Sequence, residues 1–306
     1  LKTMRIIAPS ELIINGDGSI FHLHVKPGQL ADTVILVGDP GRVEQVAAYF
    51  DSVECRAENR EFVAVTGECF GKRMTVQSTG IGTDNIDIVV NELDALANID
   101  FETRTEKAEK TRLTLVRLGT CGGIQPELRI GDLVLSRISA GFDGLLNFYK
   151  GRNAVCDLEM EQDFVEHTGW SRLLTAPYFV RCSDRLAELF ADRTVEGMTI
   201  SAPGFYAPQG RFLRLSPADP SLNGKIESFE YRGRRFTNLG PDYKAGRNRS
   251  LTSWRDVDAL PISKWKVRRW PDCRCCWGTM PPRSARLSHS ELPSKWTPTT
   301  GLLLIR

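Results

Sequence analysis

The chain has 306 residues, 41% of them hydrophobic and 25% charged, with a formal net charge of +2. That length supports one large core or two smaller ones, and so small a charge points to no particular partner. No run approaches the ~18 apolar residues of a membrane helix, and Leu1 to Ser10 lacks the apolar stretch of a secretory signal. Cys55, Cys69, Cys121, Cys156 and Cys182 are scattered singly, as in the reduced core of a cytoplasmic protein.

Val34-Ile35-Leu36-Val37 is a short β-branched run that stops at Gly38-Asp39-Pro40-Gly41, the pattern of a buried strand ending in a turn. Arg42 to Phe50 carries apolar residues at helical spacing. Phe62 to Val65 and Lys72 to Gln77 read as strands around a turn at Gly67. Ser78-Thr79-Gly80-Ile81-Gly82-Thr83 is a glycine-rich turn, and Ile88, Val89, Leu93 and Leu96 then mark a helix. Thr114 to Leu118 is a further strand running into Gly119-Thr120-Cys121-Gly122-Gly123, and Gly131 to Leu135 opens another. Strand, glycine turn and helix in repetition predict an α/β protein, with ligands at the carboxyl ends of the strands.

Three places carry groups suited to chemistry. Gly38 with Arg42, and Arg117 with Gly119 and Thr120, each combine backbone N–H groups after a strand with a guanidinium, an arrangement suited to phosphate. Taken alone each is more readily an ordinary turn, with Arg42 a solvated helix residue, and neither is a Walker A loop or a dinucleotide fingerprint. Phe205-Tyr206-Ala207-Pro208-Gln209-Gly210-Arg211 places an amide and a guanidinium on one side of an extended loop, where they could read the edge of a planar heterocycle. Phe205 could stack on the same ring. A plain surface loop is the alternative.

Taken in order, these segments resemble the uridine phosphorylases of the nucleoside phosphorylase family. The match runs through Phe21-His22-Leu23, Gly38-Asp39-Pro40 with Arg42, Arg60-Glu61-Phe62, Ser78 to Gly82, Arg117-Leu118-Gly119-Thr120, Ile124-Gln125-Pro126, Gly131-Asp132 and Phe205-Tyr206 with Gln209 and Arg211. It covers about residues 12 to 238. The resemblance implies a nucleoside-phosphorylase-like α/β domain over residues 1–238, with a central mixed sheet flanked by helices. It implies phosphorolysis of uridine to uracil and ribose 1-phosphate. Gly38, Arg42, Arg117 and Thr120 would hold phosphate, joined by Arg60 from a neighbouring subunit. His22, also from the neighbour, would meet the ribose 5′-hydroxyl, while Gln209 and Arg211 bind uracil and Phe205 packs on it. Arg117 and Arg211 would carry catalysis. The partners implied are uridine, phosphate and further copies of the chain, as a dimer or hexamer, with no nucleic acid or membrane. Phosphate is a substrate, so no cofactor is implied, although Glu61 and Ile81 fall where some relatives bind a monovalent cation.

The resemblance breaks after Asn238. The family's Glu-Met-Glu segment, whose second Glu binds the ribose hydroxyls, is replaced by Leu239-Gly240-Pro241-Asp242. Glu159-Met160-Glu161 lies upstream of the base segment and reads as a solvated helix or loop. Five of the six tryptophans follow Asn238, and from residue 261 nine Lys or Arg face two acids. Trp has one codon and Lys codons begin AA, so Trp265-Lys266 read one base earlier must encode Glu, and the preceding triplets can encode Glu and Met. Residues 239–306 are therefore expected to be an aberrant, poorly ordered segment, with an insertion from about 239 and a shifted frame from about 263. Two readings of this segment are set aside. Cys273, Cys275 and Cys276 have no standard zinc spacing, and the basic, Trp-rich composition arises from off-frame translation without any nucleic acid being bound. A relative that binds base or phosphate without turnover, or one that cleaves another nucleoside, is the alternative reading.

Overall fold

A computed structural model describes residues 5–129, 131–236 and 297–305. The predicted alternation is present. Strand β1 (Thr33–Val37) leads into α1 (Pro40–Ala47), followed by β2 (Ser52–Asn59), β3 (Phe62–Cys69), β4 (Lys72–Ser78) and α2 (Thr83–Asn98). Two short strands, β5 (Ile99–Asp100) and β6 (Thr105–Glu106), precede β7 (Thr114–Gly123) and β8 (Leu133–Gly141). Then come α3 (Leu158–Thr168), β9 (Tyr178–Arg181), α4 (Asp184–Phe190), β10 (Val195–Ser201), α5 (Leu222–Ser228), the hairpin β11 (Glu230–Tyr231) and β12 (Arg234–Arg235), and finally β13 (Thr297–Ile305).

The main sheet runs β10-β8-β13-β7-β1-β4-β3-β2, with β9 paired to β8. It is mixed: β1 is parallel to β4 and β7, β2 and β3 are antiparallel, and β10 is parallel to β8. β13 lies antiparallel to β7 and parallel to β8. Of the segment 239–306, only β13 is among the described residues. The cysteine cluster Cys273, Cys275 and Cys276 and most of the Trp-rich stretch lie outside them.

Side-chain alternation explains how the sheet is covered. Val34 and Leu36 of β1, with Phe62 and Ala64 of β3, pack with Val89, Leu93 and Leu96 of α2 and with Leu12, Ile20 and Leu23 of the N-terminal loops. Their neighbours Val37, Val63 and Val65 share the other face with Val43 and Ala47 of α1. Strand period and helix period thus meet in one core, each large buried side chain contributing about 1.5–3 kcal/mol. A separate cluster of Phe142, Phe164, Phe179, Phe229 and Phe236 with Met160 and Met198 holds the β8–β10 end together. Within it Phe164 meets Phe229 and Phe236 edge-on, at centroid distances of 5.1 and 5.8 Å.

Glu159-Met160-Glu161 is a helical segment, as expected, with Glu159 exposed, but it is not solvated throughout. It forms the first turn of α3, where Met160 is 0% exposed and Glu161 pairs with Arg152 at 2.6 Å. α1 starts where Asp39 caps it, accepting from the Gly41 N–H at 2.9 Å, with Pro40 pre-setting the first turn. The helix ends at Ala47, before the predicted Phe50.

Candidate functional site

Parallel pairing of β1 with both β4 and β7 brings the carboxyl ends of β1 and β4 beside the middle of β7, because Val37 stands opposite Ser78 on one side and Leu118 on the other. Gly119 to Gly123 are not the turn the sequence suggested but continue β7, paired with β13. Thr79 N–H donates to the Val37 carbonyl at 2.7 Å, tying the second turn to the first. Gly38, Gly80 and Gly119 therefore surround one spot, and Arg117 fills it. A Cβ at Gly38 would lie 3.7 Å from Arg117 Nη2 and 3.7 Å from the Gly80 carbonyl oxygen. At Gly119 the same addition would come within 2.3 Å of Arg117 Nη1, so the guanidinium uses the space that glycine leaves.

Arg42 reaches the same spot from α1, its Nη1 donating to the Leu118 carbonyl at 3.4 Å. Burial, and then the nearby positive charge of Arg42, depress the pKa of Arg117. Two guanidiniums held at one end of parallel strands form an electropositive notch that an anion would neutralise.

A cleft of about 540 Å³ opens farther along β7. Thr120 and Cys121 of β7 and Thr199 and Ile200 of β10 form its walls, and Met198, Ile226 and Phe236 also line it. Phe205, Gln209 and Arg211 border the same space. The last three are not on an extended loop, as the sequence suggested. Ala207–Gln209 forms a 3₁₀ turn closed by Gly210 at φ +65°, and the Asn223 amide donates to the Gln209 carbonyl at 3.0 Å. The turn still brings both polar side chains to the cleft. The Arg211 guanidinium carbon sits 4.1 Å from the Phe205 ring centroid, a cation–π contact.

The structure gathers sequence-predicted residues into two groups, Gly38 with Arg42 and Arg117, and Phe205 with Gln209 and Arg211. Thr120, three positions beyond Arg117 on the same strand, lines the cleft of the second group. Two residues stand apart. Arg60 is exposed at the β2–β3 turn with φ +55°, and His22 bonds to Glu92 rather than lining the cleft. Glu61 accepts from the Asn85 amide at 3.0 Å, and Ile81 is 93% exposed.

Sequence reasoning missed Asn223, which props the loop at Gln209, and the apolar surface of Met198, Ile226 and Phe236. None has a local signal, because each is brought in by packing. Cys121 is a half-buried thiol whose pKa rises to about 11 through desolvation. Among the described residues no three His, Cys, Asp or Glu side chains converge as metal ligands, and no helix is long and apolar enough to cross a membrane.

Comparison with known proteins agrees with this geometry. The model of the phosphorylase superfamily matches residues 32–231. The uridine phosphorylase of Thermococcus kodakarensis is 30% identical over 231 residues, covering 73% of this chain and 69% of that protein. A DeoD-type purine nucleoside phosphorylase of Caldanaerobacter subterraneus is 27% identical over 237 residues, 71% of this chain and 95% of its own length. Among solved structures, a Trypanosoma brucei nucleoside phosphorylase described as showing uridine phosphorylase activity superposes with a TM-score of 0.63 at 30% identity. It covers 71% of this chain and 78% of its own. With the family model matched across the strands that build both the notch and the cleft, this chain belongs to the phosphorylase superfamily.

Proposed function

We propose that the chain cleaves uridine with phosphate to uracil and ribose 1-phosphate. The observation that supports this reading is that one strand, β7, carries Arg117 of the arginine pair and, three residues on, Thr120 of a cleft bordered by Phe205, Gln209 and Arg211. The Gln209 amide offers both a donor and an acceptor to the uracil edge, and Arg211 offers donors only. A purine presents a different edge, yet purine phosphorylases are among the similar proteins, so the base is the point to test.

In this reading Arg42, Arg117, Thr120 and the Gly38 backbone hold phosphate below ribose C1′, joined by Arg60 of a second copy of the chain. A phosphate oxygen attacks C1′ as the bond to uracil N1 breaks, and the bonding pair moves onto the ring. Arg211 and Gln209 stabilise the charge that builds there, as preorganised donors do for an oxyanion. Positioning supplies the remainder, and no general base is required. The proton that monohydrogen phosphate gives up on becoming the phosphate ester ends, by way of water, on uracil N1, so the step balances.

A second reading rests on the missing Glu-Met-Glu segment. Without the ribose carboxylate, a charged hydrogen bond worth roughly 1.5–3 kcal/mol is lost, and turnover falls by about ten- to a hundredfold or more. Uracil release from uridine by the purified chain, with and without phosphate and beside inosine, tests both readings. Phosphate-dependent release that favours uridine supports the proposal. Preference for inosine refutes the pyrimidine assignment, and binding without release leaves the second reading.

A further inference from the structure

The short helix α5 is fastened at both ends. At its start Asp219 accepts from the Ser221 N–H at 2.9 Å and from the Lys225 ammonium at 2.8 Å. At its far end Gln125, buried just past β7, donates from Nε2 to the Glu227 carbonyl at 3.3 Å. Leu222 and Ile226 anchor the helix in the phenylalanine cluster. Asn223, between them in sequence, is half-buried and lines the cleft.

The 3₁₀ turn at Ala207–Gln209 meets this helix through Asn223. Inside the turn the Tyr206 carbonyl accepts from the Gln209 N–H at 3.0 Å and from the Arg211 N–H at 2.9 Å. The Gln209 carbonyl takes its hydrogen bond from outside the turn, from Asn223 Nδ2 at 3.0 Å. Gly210 follows at φ +65°, the left-handed region that favours glycine. A Cβ there would lie 2.3 Å from Asn223 Nδ2 and 2.6 Å from its Cγ, so the amide occupies the space that glycine leaves. The Asn223 amide therefore holds the peptide that joins Gln209 to Gly210, between the two polar residues that border the cleft. Arg211 emerges from it with its guanidinium carbon 4.1 Å from the Phe205 ring centroid.

We infer that Asn223 is a positioning residue: by donating to the Gln209 carbonyl and seating against Gly210, it sets where the Gln209 amide and the Arg211 guanidinium stand in the cleft. The inference rests on the nucleoside reading above for what those two groups bind; the placement of Arg211 does not depend on it. The donor matters as well as the shape. Asn223→Asp keeps the size of the side chain but turns a carboxylate, which only accepts, toward an accepting carbonyl.

The first test needs no activity. Nitrogen-15 NMR of the arginine-labelled full chain reads the Arg211 Nε–H resonance, assigned through Arg211→Lys. In wild type the Phe205 ring shifts it upfield, and Phe205→Leu abolishes that shift. Asn223→Ala and Asn223→Asp should abolish it too, while the other arginine resonances hold. A shift kept in either Asn223 variant, or absent from wild type, overturns the proposal.

The second test measures kinetics on uridine and phosphate. Both Asn223 variants should lower kcat/KM for uridine about ten- to a hundredfold, as misplaced groups do. They should leave KM for phosphate within about twofold, because Arg42 and Arg117 stand on α1 and β7. Equal losses on both substrates make Asn223 a structural prop and overturn the positioning role, as do wild-type kinetics in Asn223→Asp. A wild-type chain inactive on every nucleoside refutes the function reading itself, while the Arg211 resonance still decides whether Asn223 places that side chain.

Discussion

Replacing Arg117 with Met removes the guanidinium from the notch and keeps most of the stem. In the unliganded protein Arg117 is desolvated and faces Arg42, so its charge is held at a cost that only an anion offsets. Two charge-assisted bonds to phosphate, at about 1.5–3 kcal/mol each, come to about 3–6 kcal/mol, or a loss of about 10²–10⁴ in phosphate affinity. Thermal unfolding reads this directly. For wild type, phosphate at about 100 times its Kd adds about 2.7 kcal/mol, which raises Tm by several degrees. Arg117→Met should unfold at or above the wild-type temperature without phosphate and gain almost nothing when it is added. An equal phosphate-induced rise in both proteins would refute the assignment of the notch to phosphate.

Arg211→Ala should lower kcat about 10²–10³-fold, the usual effect of losing a donor to developing charge. It should keep the phosphate-induced rise in Tm, and loss of that rise would show that the two groups are not separable. Gly141→Ala should destabilise the β8–β9 pair, because the new Cβ would lie 2.0 Å from the Tyr178 ring, whose hydroxyl donates to Asp143 at 2.9 Å. Overpacking of this kind costs about 1–3 kcal/mol in urea unfolding, and Tyr178→Ala in the same chain should recover part of it. The Cys69 and Cys121 thiols are raised from 9.0 to about 11, mainly by burial. The folded chain thus keeps protons that the unfolded chain releases, so their contribution is complete below pH 9 and lost between about pH 9 and 11. Cys69→Ala with Cys121→Ala should flatten that decline; an unchanged slope would refute the burial account.

Much of the fold was legible because local pattern and burial agree. The run Val34 to Val37 alternates between two covered faces, as do Phe62 to Val65, and the helix period of α2 matches the face that α2 buries. The glycines at Gly38 and Gly80 could be read as turns from sequence, whereas Gly119 lies inside β7 because β13 pairs with it. Their convergence could not, since it depends on the β1 register against β4 and β7. The loop at Phe205 shows the same limit: residue identity pointed to Gln209 and Arg211, but Gly210 and Asn223 decided how the backbone turns.

By itself, the sequence determined which groups are present: arginines suited to an anion, an amide and a guanidinium suited to the edge of a planar ring, and the strand and helix periods that order them. Only the tertiary structure decided who meets whom. Glu92 lies 70 positions from His22, and the carbonyl that Arg42 meets lies 76 positions away. Contacts at such separations leave no local periodicity, because they arise from the pairing of strands and the packing of helices on them. The chemistry of the site is written in residue types, and its geometry in the sheet that brings distant turns to one rim.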